Sequence, residues 1–382
     1  MQTAANTPEL IKEALEYHRR HPDVSLQSHF RAKVLATADR VLSRKLIYLD
    51  TRYWITLRDV QLGRPRTSVD RELLTTLTNL VKAGKVICPI NANLFAELLK
   101  QRDDKTRMAT AQLIDELSLG VALQPEEERI GTEIHHCALL TLTHPSAGAL
   151  EPLNRLVWTS VSYVLGFTNL EMDALPSAEI LACDKAFMDY FWDLPFADQI
   201  STLGPAPEHL STQWNLIAEK INTETKKHGK NPGSFKELHL HEFVGYLEDY
   251  LPTMTQVIHH IAAQAAGIAP SSVETAASEE DGKTLLRILS ETFRQEKLGK
   301  QLPTVVIKSA LHALVRWNMK RQFTGNDLHD FGHASAALPY FDYFATDKGL
   351  KHLITNELKY DQKYDVVVMS EPGDFLSRMK EI

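Results

Sequence analysis

The sequence predicts an α/β fold, a parallel sheet flanked by helices and interrupted by a long all-helical insertion. Three observations point there. Short apolar runs ending in an acid occur at "LIYLD" and again at "YFATD", each followed by a helical pattern, as expected of buried parallel strands that feed helices. Strand-like segments are confined to 41–115 and 323–382, whereas helical periodicity dominates from about 120 to 320. Neither flank can close a sheet alone, so one core with an insertion fits better than two sequential domains.

The elements follow in order. Residues 1–40 read as an N-terminal helical extension, in which "TPELIKEALEYHRRH" opens on a Thr7-Pro8 cap and first-turn pair. In "KLIYLDTRYWITL" the run Leu46, Ile47, Tyr48, Leu49 ends at Asp50, giving the first strand. "DRELLTTLTNLVKAG" is an amphipathic helix closed by Gly84, "KVICPI" a second strand, and "NLFAELLKQRDDKTRMATAQLIDELS" helix again. The insertion, 116–322, carries stretches such as "LNRLVWTSVSYVLGF" and "LHEFVGYLEDYLPTMTQVIHHIAAQAAG". Its two polar interruptions, the basic "KKHGKNPGSFK" (226–236) and the acidic "APSSVETAASEEDGK" (269–283), read as loops. "YFDYFATDKGL" and "KYDVVVMSEPGDFLSRMKEI" then supply two more strands and a closing helix.

The 382 residues are 43% hydrophobic with a net charge of -7, a composition of the soluble globular class. No apolar run reaches the roughly 18 residues of a membrane span, and the N-terminus lacks a signal-peptide core. The expectation is a cytoplasmic protein with no membrane partner. Cys88, Cys137 and Cys183 show no CxxC spacing, so neither a disulfide framework nor a zinc knuckle is indicated. The negative total does not exclude a nucleic-acid substrate, because such binding depends on a local basic surface.

Carboxylates carry the functional signal. In open parallel sheets the site lies beyond the C-terminal strand ends. Asp50 and Asp347 fall there, Glu97 falls in the helix after "KVICPI", and Asp327 and Asp330 open the helix before the last two strands. Carboxylates brought together raise one another's pKa unless a cation joins them, and all-oxygen donors favour Mg²⁺ or Mn²⁺ over zinc. Each acid also has an ordinary reading. Asp50 and Asp347 could cap the helices that follow, Glu97 could be a surface glutamate, Asp330 could complement a helix dipole, and Asp327 within "TGND" is a natural cap.

The ordered set "LIYLDTRYWI", "NLFAELL", "NDLHDFGHASAA" and "YFATDKGL", closed by "YDVVVMSEPGDFL", resembles the PIN-like (PilT N-terminal) nuclease domain. The resemblance covers 41–115 and 323–382 and none of the insertion, and the span between Glu97 and Asp330 is far longer than in a compact family member. It implies a metal-dependent endoribonuclease in which Asp50, Glu97, Asp330 and Asp347, with Asp327 as an auxiliary ligand, hold Mg²⁺ or Mn²⁺. Cleavage would leave a 5′-phosphate and a 3′-hydroxyl. RNA is the expected partner, and the insertion would gate access, select substrate, form a homo-oligomer or take a regulatory protein. A toxin-like or defence ribonuclease would suit so large an insertion.

Candidate substrate contacts are Arg52, Lys320, Arg321 and Lys348, with His329 and His333 on one face of the acidic helix. Interleaved Arg and aromatic side chains near Tyr53, Trp54, Arg316 and Trp317 suit phosphate contact and base stacking, or else are core and solvated face. Two rival readings stand. His329-Asp330 is also the doublet of HD-type metal phosphohydrolases, with His259 or His312 as the upstream histidine, but that leaves Asp50 and Glu97 idle. Alternatively the fold is a catalytically inactive RNA-binding scaffold.

Overall fold

Strands in the computed structural model are short, and helices make up most of the chain. The structure describes residues 7–98, 101–142, 150–164, 176–202, 213–227, 233–267, 278–318 and 321–382. The strands are β1 (Lys45–Leu49), β2 (Val86–Ile87), β3 (Val121–Leu123), β4 (Trp158–Ser160), β5 (Tyr343–Ala345) and β6 (Val367–Met369). β1 pairs in parallel with β2, Leu46 opposite Ile87. β5 pairs in parallel with β6, Phe344 opposite Val368. Both pairs carry helices in their crossovers, as parallel pairing requires, and the chain is of the mixed α/β class.

One expectation needs correction. The 116–322 segment is not all-helical, because β3 and β4 form an antiparallel pair with Leu123 opposite Trp158. The stretch "LNRLVWTSVSYVLGF" breaks into a helix Leu153–Leu156, strand β4 and a helix Val161–Val164. A short apolar run is ambiguous between buried helix and buried strand. Here the aromatic and β-branched Trp158-Thr159 pair suits the strand. Trp158 is fully buried, and its indole N–H donates to the Asn154 carbonyl at 2.7 Å.

The chain divides into two compact units, 1–124 with 154–206 and 371–382, and 125–153 with 207–370. This division differs from the expected extension, core and insertion. In the first unit the N-terminal helices belong to the core, with Val34, Ala38 and Val41 buried. Helix Thr7–Arg19 is tied to helix Ser177–Trp192 through His18–Asp189 and Arg19–Glu179. The last twelve residues return to the same unit, where Lys380 pairs with Glu72 at 2.6 Å and Lys85 Nζ donates to the Ile382 carbonyl at 2.7 Å.

The second unit is built around Ile130, Ile134, Phe243, Met254, Leu285, Leu289 and Val305, all buried. Side chains of this size each contribute about 1.5–3 kcal/mol on burial. Phe243 and Phe293 stack with centroids 4.1 Å apart. Buried among these helices, Glu133 accepts from the Thr304 backbone N–H at 3.0 Å, the Thr304 hydroxyl and the Tyr340 hydroxyl at 2.6 Å. Arg129 lies 4.0 Å away.

Candidate active site

In the first unit two of the sequence-predicted acids, Asp50 and Glu97, lie near the end of β1. Leu46 to Leu49 are buried, and the chain turns at Asp50 into helix Thr51–Gln61. Asp50 has extended backbone and accepts from the Tyr53 N–H at 3.3 Å, so it is the N-cap of that helix. Trp54 locks the turn, since its indole N–H donates to the Leu49 carbonyl at 3.0 Å and its ring is wholly buried.

Glu97 arrives from the neighbouring strand. After β2, Asn91 accepts from the Leu94 N–H at 3.0 Å and starts helix Ala92–Leu98. Glu97 near its end, half-buried, accepts from the Thr51 hydroxyl. The residue after Asp50 is therefore bonded to Glu97, and both carboxylates belong to one corner of the first unit.

The electrostatics of this corner show on Tyr53. Burial lifts its phenol well above the ordinary tyrosine value, and the charges of Asp50, Glu371 and Asp374 lift it further against Arg52. Tyr53 Oη is buried without a hydrogen-bond partner among the described residues. The ring packs edge-on against Phe375 with centroids 5.5 Å apart. Glu371, two residues beyond β6 and N-cap of helix Pro372–Met379, is a strand-end acid the sequence reading missed. Its signal was in plain view, since "VVVMSE" repeats the apolar-run-then-acid pattern of "LIYLD".

The second unit places the other acids. Asp327 closes a capping box, accepting from Thr324 N–H at 2.8 Å and from its hydroxyl at 2.8 Å, while Arg321 pairs with its other oxygen. Both oxygens of Asp327 and the Arg321 guanidinium are thus engaged locally. Asp330 and His329 are half-buried on the same helix, and His333 is buried. The His329 ring lies 4.9 Å from that of Trp214. Asp347, after β5, caps helix Lys348–His352 by accepting from the Leu350 N–H at 3.1 Å and from Gly349. A side chain at 349 would bring its Cβ to 3.0 Å from the Asp347 oxygen, so glycine there keeps the carboxylate in place.

Of the basic candidates, Arg52 and Lys348 are exposed beside Asp50 and Asp347. Lys320 lies outside the described residues, as do the centres of the 226–236 and 269–283 loops. Trp317 is exposed and packs edge-on against Phe235. The histidines of the phosphohydrolase reading have other partners. His312 shares a 2.7 Å hydrogen bond with the Tyr246 hydroxyl, and burial pushes its pKa down to about 3. His259 bonds Asp281 at 3.0 Å.

Among the described residues, no helix is long and apolar enough to cross a membrane. Compared with family models, curated proteins and solved structures, the chain matches none.

Proposed function

We propose that the protein is a metal-dependent endoribonuclease whose working carboxylates are Asp50, Glu97, Asp330 and Asp347. The observation that carries the reading is the Thr51–Glu97 hydrogen bond, which joins Glu97 to the residue following Asp50 at the C-terminal end of β1. Asp330 and Asp347 are taken into the site from the sequence pattern, with Asp347 at the corresponding end of β5.

The donor set fits a hard cation. Asp50, Glu97 and the Thr51 hydroxyl offer oxygen alone, which favours Mg²⁺ or Mn²⁺. Bound there, such an ion lowers the pKa of water and offsets charge on the scissile phosphate. The chain's own groups do the positioning. The helix cap fixes Asp50, the Thr51 hydroxyl orients Glu97, and exposed Arg52 and Lys348 offer guanidinium and ammonium groups to the phosphate backbone.

The test compares wild type, Asp50→Asn and His329→Ala on single-stranded RNA, tRNA, single-stranded DNA and free nucleotides, with Mn²⁺ or EDTA. The expected result is RNA cleavage with Mn²⁺ that disappears with EDTA and in Asp50→Asn and persists in His329→Ala. Loss in His329→Ala with Asp50→Asn intact would overturn the proposal, as would metal-independent RNA binding with no cleavage.

A further inference from the structure

Three other helices of the first unit bring a second set of metal-ligating atoms together. His18 sits in the last turn of helix Thr7–Arg19, His29 in the first turns of helix Leu26–Leu42, and Asp189 in helix Ser177–Trp192. His18 Nε2 lies 2.7 Å from one Asp189 oxygen and His29 Nε2 2.9 Å from the other. The ligating atoms of all three residues fall within 4.8 Å of one another. The imidazoles meet edge-on, centroids 4.7 Å apart. His18 is 3% exposed, while His29 and Asp189 are part-buried, so the cluster is rooted in the interior and opens toward the surface.

A fourth group completes it. Lys33 Nζ lies 2.6 Å from the oxygen that His29 also faces. Burial raises the Asp189 pKa, but hydrogen bonds from His29, Lys33 and His18 outweigh it and hold the carboxyl well below its ordinary range. The carboxylate is flanked by two imidazole nitrogens and the Lys33 ammonium.

We propose that His18, His29 and Asp189 form a Zn²⁺ site in which the Lys33 ammonium occupies the cation's place. Two imidazole nitrogens and one carboxylate oxygen are a ligand set that zinc accepts, with the fourth position open. Zinc–ligand bonds of about 2.0–2.1 Å in tetrahedral geometry put neighbouring ligand atoms about 3.3 Å apart. The two nitrogens face different Asp189 oxygens, at 2.7 and 2.9 Å, so ligation through one oxygen requires the carboxylate to turn and these separations to open. Each imidazole would carry its proton on Nδ1 and turn the Nε2 lone pair to the ion.

Lys33, at 22% exposure, has a route to solvent when displaced. The buried Lys185 is a nearby positive charge that opposes the ion, but its ammonium is held by the His21 and Val24 carbonyls at 2.9 Å each. Its repulsion sets the affinity below that of a closed four-ligand site. The proposal stands apart from the nuclease reading, because it uses none of the strand-end acids.

The test uses the full chain, stripped with EDTA and dialysed, then titrated with ZnCl₂ alone against a chromophoric chelator. Zinc-edge X-ray absorption of the loaded wild type is the second measurement. The expected result is a bound zinc with two imidazole nitrogens in its first coordination sphere and a higher Tm than the stripped protein. His29→Gln should weaken binding about 100-fold or more, the upper end of losses around metal sites. Lys33→Gln should tighten it about tenfold or more by removing the competing charge. Asp50→Asn should leave this binding unchanged, which separates it from the strand-end carboxylates. Zinc without imidazole coordination, or binding indifferent to both His29→Gln and Lys33→Gln, overturns the proposal. Should His29→Gln fail to fold, the absorption spectrum of wild type decides.

Discussion

Two buried acids of this protein are held in different ways. Glu133 in the second unit is fully buried, and both of its oxygens accept hydrogen bonds, from Thr304 and Tyr340. Asp50 in the first unit sits at a strand end, where its cap to Tyr53 is a long 3.3 Å contact and Thr51 next to it reaches Glu97. Burial pushes Glu133 up to about 7 against Arg129 and its hydrogen bonds. Yet every group around it is spent inside the core. Perturbation alone therefore does not mark a working acid. A carboxylate at a strand end, whose neighbour Thr51 bonds a second carboxylate from the helix after β2, is better placed to meet a substrate.

Several variants would break or sharpen this contrast. The largest effect is expected from Asp50→Asn, which should lower Mn²⁺-dependent RNA cleavage about 10³-fold or more while shifting the thermal midpoint little. Equal loss of fold and activity would make Asp50 a second Glu133. Next is Glu133→Ala, which leaves the Tyr340 hydroxyl and the Thr304 donors without their acceptor in the core and should cost about 3 kcal/mol in urea unfolding.

The pH dependence of stability sharpens the same point. A carboxyl raised in the folded state contributes stability below its ordinary pKa of 4.5, and loses it as pH rises through about 7. Wild type should therefore lose up to about 3 kcal/mol between pH 4.5 and 8 relative to Glu133→Gln, whose urea midpoint should be flatter over that window. Parallel slopes for the two proteins would show that Glu133 stays ionised. The smallest effect is expected from Thr51→Val, which removes the hydroxyl that orients Glu97 and should slow cleavage about tenfold without loss of fold. An unchanged rate would detach Glu97 from the Asp50 corner.

The parts of the fold legible in the sequence were those with a one-dimensional signature. β1, β5 and β6 announce themselves as apolar runs, and the places of Asp50 and Asp347 follow from how those runs end. Whether such an acid caps or ligates was not legible, because Asp50 and Asp347 are both N-caps and the same oxygens serve either role. β4 was hidden because "VWTSV" is apolar enough for a buried helix and too short for periodicity to decide. Asp327 shows the opposite case, since "TGND" carried its capping box openly and the structure fills both its oxygens. The His18, His29 and Asp189 cluster was illegible. Asp189 lies 171 and 160 positions from His18 and His29 along the chain, and the packing of three helices alone brings them together.

The central claim is that Asp50 and Glu97 serve one metal-dependent site, and a double-mutant comparison tests it most directly. The rate of Mn²⁺-dependent cleavage of one single-stranded RNA is measured for wild type, Asp50→Asn, Glu97→Gln and the double variant. Residues acting as one unit are strongly non-additive, so each single substitution should abolish nearly all activity and the double should be no worse. Full activity in Glu97→Gln, or losses that multiply in the double, would contradict the account.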